Sequence, residues 1–262
     1  MSLTRDQMLN EMGLSPQWKL REQPAVARAA KKSPMVASIA PPDRTPVVKT
    51  LAVEAIASSA ASGAEREEQI AQFGWDQLRQ SIAACRACGL CAERKQAVPG
   101  VGDENADWLF IGEGPGTDEE VQGEPFVGPA GKLLDAMLAA IDLKRGDDVY
   151  IANAVKCRPP DNRPPEAAEM AACAPFLKRQ IALIQPRLIV LLGRAAAHAL
   201  LGEEGLLASL RGKPFTYRAG ERDIPVVVTY HPAYLLRTLP DKSKAWEDLC
   251  RARALMRVAK AD

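Results

Sequence analysis

The chain has 262 residues, 47% of them apolar and 26% charged, with a net charge of +1. That composition fits one globular domain with an extension, or two small domains. It argues against a membrane span, because no apolar run reaches the roughly 18–20 residues a bilayer requires, and against a secretory leader, because no apolar core follows Met1; the net charge does not by itself announce a nucleic-acid binder, and a cytoplasmic protein is expected.

In chain order, residues 3–21 read as a short amphipathic segment with a turn at Ser15-Pro16. From Lys19 to Gln72 there is no aromatic residue, and Pro24, Pro34, Pro41, Pro42 and Pro46 punctuate an Ala-rich stretch. Such a segment cannot bury enough apolar area to offset its ordering entropy, so 22–65 reads as a disordered linker. The first 21 residues are then either a tethered peptide for a protein partner or a tail without a role. The domain proper is expected over 66–262. It starts with a helix over 66–84, where Ile70, Phe73, Leu78 and Ile82 fall at helical spacing. Strands are predicted at 108–113, 149–155, 187–193 and 224–230, alternating with helices at 130–141, 166–184, 194–201 and 241–259. Nearly continuous apolar strands between helices imply an α/β fold: a three-layer α/β/α sandwich around a mostly parallel four-stranded sheet. Ligands then bind at the carboxyl ends of the strands.

Charge is uneven. Gly102–Asp148 holds twelve acidic and three basic residues, and Leu207–Asp262 holds eleven basic and six acidic. Either a carboxylate-bearing site lies beside an anion-facing surface, or both are ordinary solvated faces.

The unusual clusters follow the predicted strands. After the first comes Gly112-Glu113-Gly114-Pro115-Gly116, then Glu119, then Gly123-Glu124-Pro125-Phe126-Val127-Gly128. The glycines allow a ligand close to the backbone, but the run is neither GxGxxG nor a P-loop. Phe126 is a core plug or a ligand platform. After the second strand, Asn153 offers a donor and an acceptor side by side, suited to an amide-like edge or to a turn bond; Lys156-Cys157-Arg158 follows. After the fourth comes His231-Pro232-Ala233-Tyr234-Leu235-Leu236-Arg237. His198 lies within a helix and reads as structural, whereas His231 at a strand end is suited to donate to a developing anion. Six cysteines in a reducing compartment point to metal rather than disulfides. Cys85 and Cys88 with Cys157 and Cys173 suit a structural zinc or a [4Fe–4S] cluster, and spacing does not decide. Cys91 is spare, and Cys250 reads as helix packing.

Together, Cys85-x2-Cys88, GEGPG at 112–116, GEPFVGPAG at 123–131, NAVKCRPP at 153–160, Cys173 and HPAYLLR at 231–237 resemble the family 4, iron–sulfur uracil-DNA glycosylases. The resemblance implies a [4Fe–4S] cluster on Cys85, Cys88, Cys157 and Cys173, and a monomeric enzyme acting on uracil in single- or double-stranded DNA. Uracil would stack on Phe126, pair with Asn153 and receive a hydrogen bond from His231. Lys156, Arg158, Leu235, Leu236 and Arg237 would contact DNA, the leucines as a wedge. Where GQDPY-type relatives carry an aspartate, this chain has Gly114, which can offer only its backbone. Glu119, then Glu113, is expected to position the water. The implied reaction is monofunctional excision that leaves an abasic site. The competing reading is an iron–sulfur DNA-binding or redox-sensing module with reduced catalysis.

Overall fold

The computed structural model describes residues 63–261. The expected amphipathic segment 1–21 and linker residues 22–62 lie outside the described residues. Helical structure begins at 63 rather than 66 and runs to 70. A separate helix α1, Trp75–Ala84, follows, with Gly74 as its N-cap. The single helix expected over 66–84 is therefore two. The pattern of Ile70, Leu78 and Ile82 survives the break because all three turn into the same core cluster.

The sheet has six strands in the order β1-β3-β2-β4-β6-β5. They are β1 Val101–Gly102, β2 Trp108–Gly112, β3 Val149–Asn153, β4 Leu188–Leu192, β5 Phe215–Ala219 and β6 Arg222–Thr229. The four expected strands form the parallel centre, β3-β2-β4-β6. Two antiparallel strands, β1 on β3 and β5 on β6, extend it at the edges. Neither edge strand was expected, since β1 is two residues long and β5 alternates half-buried and exposed residues.

Side chains alternate across the sheet. Phe110, Ile151 and Val190 face helices α3 (Pro129–Ala139) and α8 (Lys242–Ala259), whereas Leu109, Ile111, Leu191 and Val228 face α4 (Ala167–Ile184) and α5 (Arg194–Leu201). Residues β2, β3 and β4 are buried along their whole length, as sheets covered on both faces require. Short helices α2 (Thr117–Gln122), α6 (Leu207–Leu210) and α7 (Pro232–Arg237) lie in the connections. Among the described residues, no helix is long and apolar enough to cross a membrane.

The chain leaves β2 towards one face and β4 towards the other, so adjacent strands β2 and β4 diverge at their carboxyl ends. That divergence is the topological switch point at which open α/β sheets bind ligands.

Candidate active site

A cavity of 750 Å³ opens at this switch point. The clusters that follow four separate strands meet there: Glu113, Gly114, Glu119 and Phe126 after β2, Asn153 at the end of β3, Arg194 after β4, and Tyr230, His231 and Arg237 after β6. A cavity of that size accommodates a nucleobase with part of its sugar.

Phe126 is held in a backbone conformation rare for its type, with φ of 57°. Several contacts enforce it. Arg145 Nη1 and Nη2 donate to the carbonyls of Pro125 and Phe126, both at 2.8 Å. Gly131 passes so close that a Cβ there would lie 1.7 Å from the Phe126 carbonyl oxygen. A Cβ on Gly112 would stand 2.5 Å from Phe126 Cζ and 2.4 Å from Asn153 Oδ1. The absent side chain of Gly112 is thus the space that seats the ring. Phe126 and His231 rings lie 5.4 Å apart and 30° from parallel.

Asn153 pairs in register with Gly112 and is 2% exposed. Its Oδ1 is buried with no hydrogen-bond partner among the described residues. An orphaned buried acceptor is costly unless a ligand donates to it. The ladder continues past the strand end, with Ala154 N donating to Gly112 O and Val155 N to Glu113 O, which fixes Glu113 beside Asn153.

His231 is the N-cap of α7, with Pro232 at the first helical position. Its Nδ1 accepts from Ala233 N at 3.1 Å. Nδ1 therefore carries no proton, and a neutral ring carries its proton on Nε2. Burial, helped by Arg237, pushes the imidazole down to about 4, and Glu119 opposes this. His231 is consequently a neutral Nε2–H donor at physiological pH.

The two glutamates have different surroundings. Glu119, expected first for water positioning, accepts from Gly116 N on Oε2 and from Val127 N and Gly128 N on Oε1 at 3.1–3.2 Å. Its carboxylate is a clamp that ties the Phe126 loop to the start of α2. The Glu113 carboxylate accepts no hydrogen bond among the described residues, and burial raises its pKa while Arg194 pulls it back. Gly114 lines the cavity with backbone alone, because a Cβ would meet Val155 Cγ2 at 2.8 Å.

Two expected DNA contacts are corrected. Lys156 is 1% exposed, and its Nζ donates to Asn153 O at 2.7 Å and Gln180 Oε1 at 2.6 Å, so it braces the strand end from inside. Leu235 is also 1% exposed and belongs to the core under α3 and α8. Leu236 and Arg237 are exposed, while Arg158 is engaged with Glu120 and Asn162. Cys250, expected in packing, is exposed.

Cys85, Cys88, Cys91, Cys157 and Cys173 line one small cavity, capped by Phe176 and Ile82. No three His, Cys, Asp or Glu side chains among the described residues converge tightly enough for a single ion. Donors surround the sulfurs: Arg94 Nη1 to Cys157 Sγ at 2.8 Å, Lys156 N to Cys173 Sγ at 3.3 Å and Arg66 Nη2 to Cys85 Sγ at 3.6 Å. Burial raises the Cys173 thiol to about 11, with Lys156 opposing.

Arg194, Arg145 and Tyr230 were not singled out in the sequence. The Gly193-Arg194 pair directly after β4 was the available signal for Arg194, since its place matches those of Glu113 and Asn153. Nothing local marks Arg145, which acts on a loop about twenty residues earlier.

Against known proteins, the model of the uracil DNA glycosylase superfamily matches residues 99–250. The type-4 uracil-DNA glycosylase of Archaeoglobus fulgidus is 44% identical over 62% of this chain and 82% of its own length. That of Thermotoga maritima is 40% identical over 69% of this chain and 93% of its own. A type-5 uracil-DNA glycosylase of Thermus thermophilus is 36% identical over 53% of this chain and 77% of its own.

Proposed function

This chain belongs to the uracil-DNA glycosylase superfamily, and from that premise we propose that it hydrolyses the N-glycosidic bond of uracil in DNA, releasing uracil and leaving an abasic site. The observation that carries this reading is the buried, partnerless Oδ1 of Asn153 beside the Phe126 ring. A flipped uracil donates N3–H to that oxygen and accepts at O4 from the same side chain. Cytosine presents an acceptor at N3 and a donor at N4, which leaves the asparagine mispaired, and sites of this kind reject such analogues strongly.

As the bond from C1′ to N1 lengthens, negative charge spreads over the uracil ring and O2, and positive charge over the sugar. His231 Nε2–H donates to O2, and as a neutral donor it stabilises the anion without giving up its proton. Glu113 is the carboxylate left free to orient water towards C1′ and to favour the sugar cation. The water oxygen bonds to C1′, the bond to N1 breaks with its electron pair on uracil, and the water proton is passed on to the departing base. Among the described residues no lysine lines the cavity, which supports hydrolysis without a Schiff base. Arg237, on the cavity wall, and the exposed Leu236 beside it in α7 serve as DNA contacts, for single- or double-stranded substrate, in a cytoplasmic monomer.

The cysteine cavity fits a [4Fe–4S] cluster better than a single ion. Its ligands are spread around a space, and N–H donors on three sulfurs offset the negative charge of a four-thiolate cluster. Cys85, Cys88, Cys157 and Cys173 would hold it, with Cys91 a fifth thiol on the same wall. When bound, the cluster supplies a cross-link between α1, the segment after β3 and α4, and no step of the hydrolysis. A binding or sensing module without catalysis is not favoured, because such a module has no use for the orphaned Asn153 acceptor or the fixed His231 tautomer.

The test is excision from a labelled oligonucleotide bearing one uracil, followed by alkali, with a thymine control. Strand scission only with uracil and only after alkali is expected. Absence of scission from protein absorbing broadly at about 400 nm, the sign of a loaded cluster, overturns the reading.

A further inference from the structure

The cavity rim carries one large apolar side chain that the fold does not use. Leu206 is 76% exposed, more than any other large hydrophobic residue described, yet it lines the cavity. Its backbone is fixed. The Leu206 carbonyl accepts from Ser209 N at 2.8 Å and from Ser209 Oγ at 2.7 Å. Leu207 packs against both sheet-face cores, and Leu210 is 2% exposed. The turn is thus anchored inward by its neighbours and presents Leu206 outward. A flexible tip with an incidental leucine would lack these bonds. Arg194 lines the same cavity, and its guanidinium takes part in no ion pair or hydrogen bond among the described residues, a cation free to meet a phosphate. The leucine expected as a wedge, Leu236, is 41% exposed and comes from α7 after a different strand.

We infer that Leu206 is a second apolar wedge for duplex DNA. It packs against the bases flanking the gap left by the flipped uracil, from the α5–α6 side, while Leu236 approaches from α7. This rests on the glycosylase reading above. A base that leaves a duplex uncovers the faces of its neighbours and orphans its opposite base, and an apolar side chain that covers those faces favours the flipped state. A single strand has no opposite base and little stack to repair, so the same side chain contributes much less there. The expected signature is therefore selective for duplex.

The test uses the full chain with its cluster loaded, as wild type, Leu206→Ala and Leu206→Met. Each is assayed on one uracil in a single strand and in a duplex opposite guanine. The ratio of duplex to single-strand kcat/KM should fall about tenfold in Leu206→Ala, the order expected for losing the burial of most of a leucine, and should largely return in Leu206→Met. A second readout is the fluorescence of 2-aminopurine placed beside a non-hydrolysable 2′-fluoro-deoxyuridine. Wild type should raise it on binding and Leu206→Ala should raise it less. An unchanged ratio, or an equal fall on both substrates, overturns the wedge while leaving the glycosylase reading intact. Wild type that excises from neither substrate overturns the glycosylase reading and the wedge with it.

Discussion

Arg145 touches neither the cavity nor any expected catalytic group, yet replacing it should disable the site. Its guanidinium donates to the Pro125 and Phe126 carbonyls and pairs with Asp135. A hydrogen bond from a charged donor contributes about 1.5–3 kcal/mol. Two such bonds at the lower end total about 3 kcal/mol, and screening of a side chain that is 22% exposed brings them to about 2 kcal/mol together. Against them stands the left-handed conformation of Phe126, which costs about 1–2 kcal/mol. Arg145→Ala therefore brings the loop near balance, and the ring leaves its seat for much of the time. Two kcal/mol corresponds to a Tm lower by about 4–8 °C for a domain of this size, and to a fall in kcat/KM of about thirtyfold if the loss is expressed at the site. Arg145→Lys, with one compact ammonium for two carbonyls, should recover part of both. Excision kinetics alongside thermal melts check this. A variant that melts lower but excises within twofold of wild type would show that Arg145 holds the fold and not the ring, and would refute the argument.

Other perturbations separate the remaining parts of the site. Gly112→Ala places a methyl within 2.5 Å of both Asn153 Oδ1 and Phe126 Cζ, so activity should fall about a hundredfold or more with the sheet intact by circular dichroism; near-normal excision would mean that the ring need not sit there. The pH profile of kcat should show one acid limb, lying above the ordinary carboxylate range because burial raises Glu113. Arg194→Ala should move that limb further up. No inflection should appear near pH 6.5, since His231 is depressed to about 4, and an inflection there would contradict the neutral imidazole. Because folding favours the protonated form of Glu113, its contribution to stability is present in acid and lost as pH rises through the shifted value. Glu113→Gln should then raise Tm at neutral pH, not in acid, while removing activity. Arg194→Ala should also flatten the dependence of DNA affinity on salt by about one unit of log–log slope, and an unchanged slope would place Arg194 away from phosphate.

The parallel centre of the fold was readable because WLFIG, VYIAN and LIVLL are apolar runs that only a sheet covered on both faces accommodates. The site clusters were readable because each follows one of the predicted parallel strands, β2, β3 or β6. What escaped depended on distant partners. Lys156 reads as a basic residue in a DNA-facing loop, and its bonds to Asn153 O and to Gln180, 24 residues away on α4, make it an interior brace. Leu235 and Leu236 are indistinguishable in sequence, and the phase of a six-residue helix sends one into the core and the other outward. Glu119 and Glu113 are likewise alike until the amides of Val127 and Gly128 occupy one of them.

The order in which the wall is gathered bears on how the protein comes into being. Its parts lie at 112–131, 153–163, 193–208 and 230–237, and no continuous half of the chain holds a working half of the cavity. Until β6 has been synthesised, β4 lacks one neighbour, and a nascent chain presents LIVLL as an open apolar edge of the kind that recruits wrong partners. His231 arrives two residues after the strand that covers that edge. Catalytic competence and protection from aggregation are thus completed in the same late, non-local closure, so a chain that has acquired its histidine in place has also hidden its most hazardous strand.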